Sequence, residues 1–221
     1  PYTVVLPKPL MPIGEYPILE VIIRQLVAAG FQRITLAVNH QAEIFKAFFQ
    51  NGERWGVFID YSVEDTSLGT MGPLRLIDDL PDNFLVMNGD ILTDLDYRKF
   101  FDTHIRKGDF FTISSHVREQ LVDYGVLEVV DGRLVGLREK PLLNYEVSMG
   151  VYMVSRCVIE YVPDDIAYGF DNLMDDLIVA GRGVAVSKYT GYWLDIGRPD
   201  DYVTAIDVFE QDANKFLGTE L

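Results

Sequence analysis

Two periods of apolar and polar positions alternate along the first half of the chain. Residues 16–30, "YPILEVIIRQLVAAG", carry apolar side chains three and four apart. Pro17 stands where a first turn tolerates it and Gly30 where a helix stops, so the stretch predicts a helix. "RITLAV" follows, short and apolar on both faces, as in a strand covered on two sides. The alternation then repeats: "QAEIFKAFFQN" predicts a helix, "GVFIDYSVE" a strand, "GPLRLIDDL" a helix, "NFLVMNGD" a strand, "DYRKFFDTHIRKG" a helix and "FFTISSHV" a strand. Strands separated by helices of this length imply right-handed crossovers. The expected fold is α/β, with a Rossmann-like open, mostly parallel sheet flanked by helices.

The rhythm changes at Tyr124. "GVLEVVDGRLVGLRE" is two extended runs around Asp131-Gly132, a hairpin signal, and "VSMGVYMVS" is a further strand, so a small antiparallel element is expected here. Helical patterns return in "SRCVIEYV" and "FDNLMDDLIVAG", then come strand "VAVSKY", the segment "GYWLDIG" and a last helix from about Pro199. With no internal repeat, low-complexity tract or linker, residues 1–221 are expected to form a single domain.

Composition narrows the function classes. A chain of 221 residues that is 48% apolar can bury one core without staples. Cys157 has no partner cysteine, which fits a reducing compartment, the cytoplasm. No apolar run approaches the roughly 20 residues that span a bilayer, and the start lacks a basic-then-apolar signal pattern. A net charge of −15 opposes a phosphate-backbone footprint, which argues against nucleic acid as a partner. The same charge repels a small polyphosphate, unless lysines or a divalent cation reverse the potential locally.

Candidate chemistry sits at strand ends, where open α/β sheets bind ligands. Asp90 follows the apolar run "FLVMNG", although "NGD" is also ordinary turn composition. In "LGTMGPL", Gly69 and Gly72 flank Thr70 and Met71, so backbone N–H groups can face a base or a phosphate; a tight start to a helix is the equal alternative. "REKP" sets Glu139 and Lys140 at the end of a hairpin strand, where a solvated edge competes with recognition of a hydroxylated anion. Asp195 lies among apolar Trp193, Leu194 and Ile196, and such a carboxylate needs donors or a cation to stay ionised. With Asp90 it offers oxygen ligands to one Mg²⁺ rather than a zinc set. His40, His104 and His116 are scattered and read as structural or exposed.

Taken in order, "PKPLMPIG", "LGTMGPL", "NGD", "REKP", "SMGVY" and "GYWLDIG" resemble the sugar-1-phosphate nucleotidylyltransferases, or NDP-sugar pyrophosphorylases, from the first residue to the final helix. That family joins a nucleoside triphosphate to a sugar 1-phosphate and releases pyrophosphate, through in-line attack on the α-phosphorus. The resemblance implies that Lys8 neutralises phosphate charge and acts with Asp90 in catalysis. It further implies that Leu68, Gly69, Thr70 and Gly72 pack on the base, and that Asp90 and Asp195 hold Mg²⁺. Glu139 and Lys140 would contact sugar and phosphate, with Gly125 and Gly150 lining the sugar pocket. Pro73 makes the loop look most like that of mannose-1-phosphate guanylyltransferases, so GTP and mannose 1-phosphate are the expected pair.

Departures from the family pattern accompany the match. The family's loop of the form G-G-x-G-T-R-L, with the central strand that carries it, falls just before Pro1, so the triphosphate grip is expected to lie ahead of this sequence. Tyr16 stands where a lysine is usual and Ser148 where an asparagine is usual. A non-catalytic nucleotide-sugar-binding subunit is the alternative reading. A metal-dependent glycosyltransferase fits less well, because Asp90 and Asp94 are four apart rather than in an Asp-x-Asp motif. No hexapeptide-repeat tail is present, so a homo-oligomer would have to use this domain's own faces.

Overall fold

After a 3₁₀ turn at Lys8–Leu10, two short strands, β1 (Pro12–Ile13) and β2 (Tyr16–Pro17), fold back on each other and deliver helix α1 (Ile18–Ala28). The computed structural model describes residues 6–38, 41–64 and 66–217, so His40 lies outside the described residues. Helix α1 buries Ile18, Leu19, Val21, Ile22, Ile23 and Leu26, the residues whose spacing announced it. Each such side chain contributes about 1.5–3 kcal/mol when taken out of water, which holds the helix on the sheet.

Strand β3 (Arg33–Val38), helix α2 (Ala42–Phe49) and strand β4 (Phe58–Val63) form the expected crossover, with β3 and β4 paired in parallel. The chain continues through β5 (Asn83–Met87), β6 (Ile91–Thr93), α3 (Tyr97–Lys107) and β7 (Phe111–Leu121). Then come β8 (Gly125–Val130), β9 (Arg133–Glu139), β10 (Leu142–Ser155), α4 (Phe170–Val179), β11 (Val184–Tyr189), β12 (Trp193–Asp195), α5 (Pro199–Gln211) and α6 (Asn214–Leu217). A four-stranded sheet has the order β11-β7-β10-β5, with β11 parallel to β7 and β10 antiparallel to both neighbours. Strands β5, β7 and β11 therefore share one direction and β10 alone runs against them. A cleft of about 960 Å³ is lined by both β3 and β5, whose facing edges pair with no other described strand.

Two expected helices come out shorter. "GPLRLIDDL" forms only a 3₁₀ turn at Gly72–Leu76. Pro73 can start a helix, but Asp78 and Asp79 stand where a helix C-terminus disfavours negative charge, and Asp79 is drawn away to Arg33. "SRCVIEYV" is likewise a 3₁₀ segment, Arg156–Tyr161. By contrast α3 has the full set of signals: the Asp96 side chain accepts from the Lys99 N–H, and Gly108 follows the last turn.

Buried His104 on α3 reaches Thr112 Oγ1 at 2.8 Å through Nδ1 and Asn83 Oδ1 at 3.2 Å through Nε2. Burial pushes its imidazole below the usual range, against the opposing pull of Asp109. A histidine whose folded pKa is depressed favours the unfolded chain once protons bind, so this contribution is lost as pH falls through about 6.5, the unfolded value. The expected outcome is that urea midpoints of the wild type fall between pH 7 and pH 5 more than those of His104→Gln; equal slopes would remove His104 from the acid transition.

Candidate functional site

Three of the expected residues converge at the carboxyl end of β5. Asp90 ends the turn after β5, and its carbonyl accepts from the Ile196 N–H at 3.0 Å. The antiparallel pairing of β6 with β12 sets Ile91 opposite Asp195, so both carboxylates come to one end of this short ribbon. Lys8 joins them from the opening segment, its Nζ 3.5 Å from the carbonyl of Gly197. Pro9 packs on Gly89, where an added Cβ would meet the proline ring at 3.3 Å. The "PKP" segment is thereby seated on the "NGD" turn.

The electrostatics follow from that convergence. Burial first and Asp195 second push the Asp90 carboxyl above the usual carboxylate range; Lys8 and the Asp90 backbone N–H pull it back. Two half-buried carboxylates that repel each other, with one lysine nearby, form an oxygen-only donor set for a hard divalent cation. Among the described residues no group of three or more His, Cys, Asp or Glu could hold a metal. A pair suits Mg²⁺, which keeps waters and takes its remaining ligands from substrate phosphates.

Gly150 is held against the same turn. Register slips between Ser148 and Tyr152 of β10, and the Gly150 carbonyl accepts from the Asn88 N–H at 2.9 Å. An added Cβ at Gly150 would lie 2.6 Å from Asn88 Nδ2. Ser148 Oγ accepts from the Gly150 N–H at 3.2 Å and donates to Tyr152 Oη at 3.1 Å, so the serine steadies the irregular stretch.

The "LGTMGPL" loop is built differently from the expectation. The N–H groups of Met71 and Gly72 both donate to the carbonyl of Tyr168, at 3.0 and 3.1 Å, and the Leu68 N–H donates to Glu64 at 2.8 Å. Those three amides are spent on the fold. Only the N–H groups of Gly69 and Thr70 lack a protein partner among the described residues of the loop. Thr70 Oγ1 accepts from the Phe170 N–H at 2.8 Å, which ties the loop to the start of α4. Thr70 lines the 960 Å³ cleft together with Pro9, Asn88 and Gly89, so the loop, the opening segment and the turn face one space.

The hairpin residues stand apart from that cleft. Gly125 and Glu139 are cross-strand partners, and an added Cβ on Gly125 would lie 3.0 Å from Glu139 Oε2. Lys140 is exposed, and its Nζ pairs with Asp123 at 2.7 Å. None of Gly125, Glu139 and Lys140 lines the cleft, and neither do Lys8, Asp90, Gly150 and Asp195, which lie beyond its Pro9 and Gly89 end. Tyr168, Phe170 and Asn88 were not foreseen as supports. The available signal was "AYGFDN", a glycine ahead of a helix with Asn172, whose side chain accepts from the Gly169 N–H at 2.9 Å.

The nucleotidyl transferase family model matches residues 1–212. The chain is 34% identical over 227 residues to a UTP--glucose-1-phosphate uridylyltransferase of Synechocystis sp., covering 93% of this chain and 58% of the relative. It is 29% identical over 226 residues to a mannose-1-phosphate guanyltransferase of Yarrowia lipolytica, covering 97% of this chain and 61% of the relative. The chain therefore spans about three fifths of the length of these curated relatives. Among solved structures, HddC from Yersinia pseudotuberculosis complexed with GMP-PN is similar with a TM-score of 0.72 and 26% identity, over 92% of this chain and 90% of that one.

Proposed function

Because the chain belongs to the nucleotidyl transferase family, we propose that it forms the catalytic domain of a sugar-1-phosphate nucleotidylyltransferase. The observation that carries this reading is the convergence of Lys8, Asp90 and Asp195 at one strand end. A sugar-phosphate oxygen attacks the α-phosphorus of a nucleoside triphosphate. The new P–O bond forms as the bond to the β-phosphate bridge breaks, and pyrophosphate leaves. Such transfer asks chiefly for in-line positioning and charge neutralisation. Asp90 and Asp195 would hold Mg²⁺, which supplies positive charge to the phosphate oxygens when bound. Lys8 adds a second cation on the same side, and the Gly69 and Thr70 amides offer donors to the base. Glu139 and Lys140, with Gly125 and Gly150, are assigned to the sugar 1-phosphate.

GTP with mannose 1-phosphate is the preferred pair, and the guanyltransferase relative supports it; the uridylyltransferase relative makes UTP with glucose 1-phosphate its rival. Calorimetric titration with GDP-mannose and UDP-glucose in the presence of Mg²⁺ tests the choice. Tighter binding of GDP-mannose is expected, and the reverse order would reassign both substrates. Retention of both carboxylates in one place favours catalysis over a purely binding subunit.

Lys140→Ala is expected to raise the KM for sugar 1-phosphate about tenfold, the scale of one exposed charge-assisted contact, with the KM for the nucleotide unchanged. A change confined to the nucleotide side would reverse the assignment of the two halves.

A further inference from the structure

Asp90 and Asp195 are brought together by a ribbon of only three residue pairs, β6 with β12, about 10 Å long at roughly 3.3 Å per residue. So short a ribbon does little to fix its own register. A slip by one residue would turn the Asp195 side chain to the other face and carry it about 3.3 Å along the strand. At the end that carries the two carboxylates, the Ile196 N–H donates to the Asp90 carbonyl at 3.0 Å.

The opposite end is gripped more firmly, and Asp94 is at its centre. Asp94 Oδ1 accepts from the Tyr192 N–H at 2.7 Å and from the Tyr189 hydroxyl, while Oδ2 pairs with Lys215 Nζ of α6 at 3.0 Å. The Tyr192 carbonyl in turn accepts from Thr93 Oγ1 at 2.7 Å and from the Asp94 N–H at 3.3 Å. Both backbone groups of Tyr192 are thus held by consecutive residues at the end of β6, which continues the pairing of Trp193 with Thr93. Thr93 is buried, and its carbonyl accepts from Gln25 Nε2 of α1 at 2.8 Å, so the gripping strand is itself tied to the core. Gly191 leaves room for the carboxylate: an added Cβ there would lie 2.7 Å from Asp94 Oδ1. Burial pushes the Asp94 carboxyl up, but Tyr189, Lys215 and the Tyr192 N–H together pull it below the usual carboxylate range, as befits an ionised acceptor.

We propose that Asp94 is a positioning residue for the metal site: by holding Tyr192 opposite itself it sets the register of β6 and β12, and with it the approach of Asp195 to Asp90. The inference rests on the metal role of those two carboxylates proposed above. Mg²⁺ demands near-ideal geometry at about 2.0–2.1 Å, so a slip of one residue removes a ligand. The Asp94 oxygens are taken by Tyr189, Tyr192 and Lys215, so its part is to hold the ribbon rather than the ion.

Mn²⁺ affinity in the presence of GDP-mannose, measured well below the thermal midpoint of each variant, tests this. Asp94→Ala removes the carboxylate and Gly191→Ala displaces it; each is expected to weaken Mn²⁺ binding by about tenfold to a hundredfold. Asp94→Asn keeps an acceptor for the Tyr192 N–H and should bind nearly as the wild type does. A carboxylate that only stabilised the fold would lower the midpoint and leave the affinity of the folded chain alone. Unchanged Mn²⁺ affinity in both alanine variants therefore overturns the inference while the metal site stands. A wild type that binds no Mn²⁺ overturns the metal reading instead, and hydrogen exchange then decides the register by itself. That measurement needs neither variant nor metal: the Tyr192 N–H should exchange far more slowly than an exposed amide. Exchange as free as in an unstructured peptide would overturn the role of Asp94.

Discussion

Replacing Asp90 with Asn is expected to lower the rate of nucleotide-sugar formation by about three orders of magnitude or more, equivalent to about 4 kcal/mol of transition-state stabilisation. The substitution removes one of the two negative charges that face the proposed cation, while keeping shape and the Asp90 backbone bonds that fix β12. Its second signature separates a metal role from a structural one. In the folded chain the Asp90 carboxyl is held above its usual range by burial and by Asp195. Such a group stabilises the fold at low pH and loses that contribution as pH rises through its folded pKa. At neutral pH without metal, Asp90→Asn should therefore melt no lower than the wild type. A variant that loses activity and also melts several degrees lower would point to a structural carboxylate instead.

Gly69→Ala is expected to disable the loop at residues 68–74, to which nucleotide binding is assigned in the proposal above. Gly69 has φ +77°, and an added Cβ would lie 2.8 Å from the carbonyl oxygen of Tyr168, which is backbone and cannot swing aside. That carbonyl is the acceptor for both Met71 and Gly72, so the clash falls on the bonds that shape the loop. The left-handed conformation costs a side chain about 1–2 kcal/mol, and the clash adds to it; a total of roughly 2–3 kcal/mol of stability should go. The KM for the nucleotide should rise at least about tenfold, since the two amides left for the base move with the loop. Gly56→Ala supplies the comparison, because Gly56 also has positive φ, +68°, but its Cβ would meet nothing within 4 Å. Thermal midpoints and nucleotide KM of the two variants check this; equal losses in both would mean that backbone conformation alone, and not the Tyr168 contact, is responsible.

Local period made most of the fold legible. "RITLAV" and "VAVSKY" are β3 and β11 residue for residue, because β-branched runs bounded by polar residues leave little choice of boundary. Asp131-Gly132 turned the hairpin as read, both residues having positive φ. Strand β6 escaped, since three residues, Ile91, Leu92 and Thr93, are too few to show a period and are strands only because Trp193, Leu194 and Asp195 pair with them from about a hundred residues away. The candidate site divides in the same way. Asp90 was not legible from its place after an apolar run alone, where an ordinary turn was the favoured reading, and stood out only with the series of motifs around it; Asp195 was marked by the apolar residues beside it in the sequence. The anchoring of the loop by Tyr168 and Phe170 was not, because a backbone carbonyl acting at a distance of some hundred residues leaves no mark on the intervening sequence.

Binding of Mn²⁺, a paramagnetic stand-in for Mg²⁺, tests the central claim most directly, followed by the electron paramagnetic resonance signal of the free ion in the presence of GDP-mannose. The pair of carboxylates predicts one ion per chain and its loss in Asp195→Asn. An ion bound equally well by Asp195→Asn, or no ion bound by the wild type, would contradict the assignment of Asp90 and Asp195.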